Sequence, residues 1–141
     1  VYLATGDDAL AEVVFWNIGL GIVGGLLAAV FGAIDFLALP KHTRARRLAL
    51  IHGVGNVVIV GLFLVSWFIR LPNHAYAPNL LPFVLGLVAV VLALGTAWLG
   101  GELVYRLRVG VDRDAGLNAP SSLSGGAVAG GESGDTADAA G

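Results

Sequence analysis

The chain has 141 residues, 57% of them apolar and only 13% charged, with a mean hydropathy of +0.83 and neither Cys nor Met. That composition excludes a disordered chain, a disulfide scaffold, a Cys-ligated zinc site and a Rieske or ferredoxin-type cluster. With so little charge, the solvent for most of the surface is lipid, and the reading is an all-α polytopic transmembrane helical bundle. The formal net charge of −2 hides an asymmetry: residues 1–109 carry seven basic and five acidic groups, whereas 110–141 carry one basic and five acidic. Numbering that opens on Val1 rather than Met is expected of a processed or trimmed chain, with a segment upstream.

A bilayer core about 30 Å thick needs roughly 20 apolar residues per helix, and three stretches qualify, at about 13–39, 48–69 and 80–103. The first has no basic leader and is too long for the apolar core of a signal peptide. On it, Asn17, Gly21, Gly25, Ala28 and Gly32 recur at helical spacing and end at Asp35, all within about 80° of arc. Small residues in that pattern let a neighbouring backbone approach closely, so this stripe is the expected helix-packing face.

The connection 41–47 holds Lys41, Arg44, Arg46 and Arg47, and Arg106, Arg108 and Arg113 follow the third stretch. Three crossings put these seven on one side and leave only Arg70 in the opposite loop, 70–79. The positive-inside rule then makes the basic loop and the C-terminal tail cytoplasmic and the loop 70–79 external. Trp16, Trp67 and Tyr105 sit near predicted helix ends, as an aromatic belt requires. A basic loop of this kind also attracts anionic head groups.

On the second stretch His52 and Asn56 are one helical turn apart. Counted from Pro40 and Arg47, Asp35 and His52 fall at similar depth, so a polar network of Asp35, His52, Asn56 and Arg47 is expected between the first two helices. Gly86, Ala93, Ala97 and Gly100 form a small stripe on the third helix, and Glu102 precedes Arg106 by one turn as an interface pair. Beyond residue 109 the composition, eight Gly, seven Ala and four Ser in 32 residues, indicates a flexible acidic tail.

Enzyme signatures are absent from the sequence: there is no nucleophile elbow, no His-Glu-x-x-His and no phosphate-cradling Gly loop. A single intramembrane His cannot supply both axial ligands of a haem, so no cofactor is predicted, with haem or quinone contacted by His52 as the alternative.

Two stretches together resemble a known family. Gly32-Ala33-Ile34-Asp35-Phe36 with the run from Arg46 to Asn56 is the first, and Trp98-Leu99-Gly100-Gly101-Glu102-Leu103-Val104-Tyr105-Arg106 with Val109-Gly110-Val111 is the second. Over residues 1–111 the chain resembles an uncharacterised family of small bacterial and archaeal membrane domains (DUF2231-type), found alone or fused to Rieske-type iron–sulfur domains. The resemblance implies four transmembrane helices, the first with a His-Pro element; Val1–Thr5 looks like the end of that helix. Its fusions imply proximity to electron transfer. The expected function is therefore a non-catalytic accessory or scaffold subunit of a respiratory or photosynthetic membrane complex, with the lipid bilayer and other membrane subunits as partners and no nucleic acid.

Overall fold

The computed structural model describes residues 2–113, 115–119 and 121. In chain order the elements are α1 (Tyr2–Thr5), α2 (Asp8–Ala38), α3 (Arg44–Arg70), a short 3-10 turn (His74–Tyr76) and α4 (Leu80–Gly101), which runs on into one π-helical turn (Glu102–Arg106). No strand occurs among the described residues. Residues 1–111 form one compact unit. The second unit, 112–141, has turns at its described residues, and most of the expected tail lies outside the described residues.

The three long helices contain 31, 27 and 22 residues, or about 46, 40 and 33 Å at 1.5 Å per residue, so each can cross a bilayer core. Two of them start earlier than hydropathy alone indicates, because their capping residues lie outside the apolar runs. Asp7 accepts a hydrogen bond from the Ala9 amide at 3.0 Å, and Thr43 accepts one from the Arg46 amide at 3.2 Å. Thr43 also donates to the Pro40 carbonyl at 2.9 Å, which closes the loop between α2 and α3.

The distribution of side chains is the reverse of a water-soluble core. Leu20, Leu37, Val57, Leu80 and Leu94 are between 65% and 74% exposed, whereas Ser66, Thr96 and Arg70 are buried. Such an apolar exterior is the signature of a surface solvated by lipid.

The helix α3 occupies the centre, packed on α2 on one side and more extensively on α4 on the other. Buried positions along α4 and its extension are Pro82, Ala89, Thr96 and Leu103, each seven residues after the last. On α3, Ile59 and Ser66 keep the same interval, one repeat beyond the half-buried His52. This repeat is the pattern of two helices wound around one another with a shallow left-handed crossing.

On α2 the buried residues are Ala11, Phe15 and Ile22, and the helix packs against both α3 and the 3-10 turn. Phe15 lies stacked between Trp67, with ring centres 4.9 Å apart, and Tyr76, at 4.1 Å. To bring its ring there, Tyr76 takes a left-handed backbone conformation (φ 56), as does Ala75 (φ 49). Conformations of that kind cost on the order of 1 kcal/mol each, which the stacked rings offset.

The packed face of α2 is rotated by about a quarter turn from the expected stripe. Gly25 lies on the edge shared by the two, where an added Cβ would meet Val60 Cγ2 at 3.0 Å. Gly19, outside the stripe, sits against the Trp67 ring instead, at 3.2 Å from Nε1. Asn17, Gly21, Ala28 and Gly32 are exposed. Burial of large rings and branched chains outweighs the close approach that small residues offer, and Phe15 and Ile22 therefore set the rotation of the helix.

Candidate functional site

The chemistry-bearing side chains gather along the α3–α4 seam. His52 Nδ1 stands 2.8 Å from the Thr96 carbonyl, which only accepts, so Nδ1 carries the proton and donates. Its other nitrogen, Nε2, accepts from Asn56 Nδ2 at 3.1 Å, and the same amide donates to the His52 carbonyl at 2.9 Å. The Thr96 hydroxyl lies 3.1 Å from the Ala93 carbonyl and 3.4 Å from Asn56 Oδ1, close enough for its proton to be shared between them. The result is a hydrogen-bonded triad of His52, Asn56 and Thr96 that ties two helices together in a region where unpaired polar groups are costly.

Two glycines make room for it. A Cβ on Gly100 would fall 3.1 Å from His52 Cε1, and one on Gly55 would fall 2.6 Å from Thr96 Cγ2. The seam continues in both directions. Ser66 donates to the Pro82 carbonyl at 2.9 Å, and at the far end Arg44 Nη2 donates to Glu102 Oε1 at 2.7 Å.

Asp35 does not join this group, and neither does Arg47. Helix α3 begins at Arg44, so His52 lies eight residues, or about 12 Å, from its start, while Asp35 lies three residues, or about 4.5 Å, from the end of α2. The two are thus at different depths, and Asp35 is exposed on the side of α2 turned away from α3. Arg47 is exposed as well. Its neighbour Arg46 performs the basic loop's structural work: Nη1 donates to the Phe36 and Leu39 carbonyls at 3.2 and 2.8 Å, and the guanidinium lies 4.3 Å above the Phe36 ring. The last carbonyls of α2 are satisfied in this way.

Glu102 and Arg106 stand 3.7 Å apart, but the shorter contact of Glu102 is with Arg44. Thr96 was the residue that sequence reasoning missed. It is the only Ser or Thr in the third apolar stretch, and that was the available signal.

Both ring nitrogens of His52 are bonded within the protein, so a haem iron at His52 would have to displace one of these bonds. Among the described residues no cluster of three or more His, Cys, Asp or Glu could hold a metal ion. At the opposite end of α3, Trp67 Nε1 and Arg70 Nε and Nη1 are buried donors without an acceptor among the described residues.

No curated protein and no solved structure shows significant similarity to the chain. A family model does match, over residues 1–113, and it covers all three long helices and the seam between α3 and α4. The chain therefore belongs to the DUF2231 family of predicted membrane proteins.

Proposed function

We propose that this protein is a non-catalytic subunit that scaffolds a larger membrane complex through the exposed stripe of α2. The observation that carries the reading is the placement of Asn17, Gly21, Ala28, Gly32 and Asp35 together on a face of α2 that is exposed among the described residues. A bilayer-embedded stripe of this composition gains by close packing and hydrogen bonding to another helix and gains little from lipid tails. The polar groups of the α3–α4 seam are consumed in holding the helices, which supports a structural role over a reactive one.

What supports an electron-transfer setting, respiratory or photosynthetic, is the occurrence of similar domains fused to Rieske-type iron–sulfur domains. Six of the seven basic residues in 1–111 fall at the end that holds the α2–α3 loop. That bias supports an orientation with this end facing the cytoplasm and the loop after Arg70 outside, and the bacterial and archaeal domains that the chain resembles support a prokaryotic cytoplasmic (inner) membrane.

The test is the native mass of the protein extracted from its own membranes in mild detergent. The assembled form should exceed the mass of the single chain, and Gly21→Leu and Gly32→Leu should return it to that mass. Val23→Leu and Val30→Leu, on the opposite side of α2, should leave assembly intact. Equal responses on the two faces, or a wild type that runs as a single chain, would defeat the reading.

A further inference from the structure

At the basic end, the first turn of α3 and the last turns of α4 border an open groove of about 660 Å³. Arg44, Glu102, Tyr105 and Arg106 line its polar part, and Leu48 and Trp98 line its apolar part. Glu102 is shared between two guanidinium groups, at 2.7 Å from Arg44 and 3.7 Å from Arg106. One carboxylate against two cations leaves the groove with a unit positive charge. Glu102 is 16% exposed, while Arg44 and Arg106 are 55% and 77% exposed, so their remaining N–H groups are open to a ligand.

The backbone contributes to this arrangement. The amide of Leu107 bonds to the Glu102 carbonyl at 3.1 Å, five residues back, and this wide turn carries Arg106 past Glu102 at the mouth of the groove. Trp98 and Tyr105, 76% and 87% exposed, flank the site. Rings of that kind rest at head-group depth, with the apolar body toward the acyl chains and the polar edge toward water.

We propose that this groove binds one anionic phospholipid, its phosphodiester held between Arg44 and Arg106 and an acyl chain lying along Leu48 and Trp98. The planar guanidinium fork matches phosphate oxygens in geometry as well as charge. A free phosphate would satisfy the two arginines and leave the apolar part unused, whereas a phospholipid meets both. Glu102 tunes the site by removing one of the two positive charges.

The experiment is native mass spectrometry of the full chain purified with phosphatidylglycerol or phosphatidylcholine of the same acyl composition. Wild type should retain phosphatidylglycerol preferentially. Arg44→Gln with Arg106→Gln should weaken that retention about thirtyfold, about fivefold for each charge removed near the surface. The matched control, Arg47→Gln with Arg108→Gln, removes the same charge from exposed positions outside the groove and should lower retention clearly less than the groove pair does. Glu102→Gln should increase retention about fivefold, a gain that misfolding cannot imitate. Equal losses in the two double variants would replace the site by diffuse attraction and overturn the proposal. It would also be overturned if Glu102→Gln lowered retention, or if inorganic phosphate at millimolar concentration displaced the lipid.

Discussion

Gly55 offers the most direct test of how closely α3 and α4 approach. An ideal Cβ at this position lies 2.6 Å from Thr96 Cγ2 and 4.0 Å from Thr96 Cβ. Carbon atoms pack best at about 3.5–4.0 Å, so Gly55→Ala places a methyl roughly 1 Å too close. Thr96 cannot simply turn away, since its hydroxyl is engaged with the Ala93 carbonyl and Asn56. Rotation would break the triad, and separation of the helices would loosen the whole seam. Overpacking of this kind costs about 1–3 kcal/mol, against a gain of up to about 1 kcal/mol from replacing Gly by Ala in a helix. The expected net loss is about 1–2 kcal/mol. Gly53→Ala is the control, because a Cβ there meets nothing within 4 Å; it should be neutral or stabilising by up to about 1 kcal/mol. Thr96→Ser deletes Cγ2 and keeps the hydroxyl, at about 1 kcal/mol for the lost methyl. In the Gly55→Ala, Thr96→Ser double variant the new methyl meets only Thr96 Cβ, at an ordinary distance. Its loss should therefore fall short of the sum of the singles by the overpacking cost, about 1–3 kcal/mol. The assay is reversible SDS-driven unfolding in mixed micelles, followed by circular dichroism. Additivity within about 0.3 kcal/mol, or Gly55→Ala as stable as Gly53→Ala, would refute the close contact.

Phe15→Ala removes the middle ring of the stack with Trp67 and Tyr76 and should cost about 3 kcal/mol, with a shift in Trp67 fluorescence; an unchanged emission spectrum would show that the rings do not meet. Arg70→Met replaces a buried cation whose Nε and Nη1 have no acceptor among the described residues, so stability in the same SDS assay should hold or rise, and a loss above about 1 kcal/mol would reveal a bonded partner. A Cys at Thr43 should be shielded from an impermeant thiol reagent in intact cells and one at Ala77 labelled, since the two loops lie at opposite ends of α3; labelling of both or of neither would contradict three crossings, and the reversed pattern would invert the orientation.

Residue chemistry alone determined the class of the protein and the number of long helices. Three apolar runs of sufficient length leave no other way to pair their backbone groups in lipid, and the charged residues mark the ends. The i,i+4 relation of His52 and Asn56 was legible for the same reason, since helical geometry fixes it locally. The rotation of each helix was not legible. Hydrophobicity does not distinguish the faces of a helix that is apolar all round, so the choice between the Gly21–Gly32 stripe and the Phe15–Ile22 face rested on contacts with Trp67, Tyr76 and Val60 that come from distant segments. Depth was likewise a tertiary matter. Thr43 caps α3 and starts it at Arg44, which carries His52 away from Asp35 and toward a carbonyl of α4. Main-chain acceptors such as the Thr96 carbonyl leave no mark in a sequence, because every residue has one. Only the packing of α4 against α3 decided which of them His52 would meet.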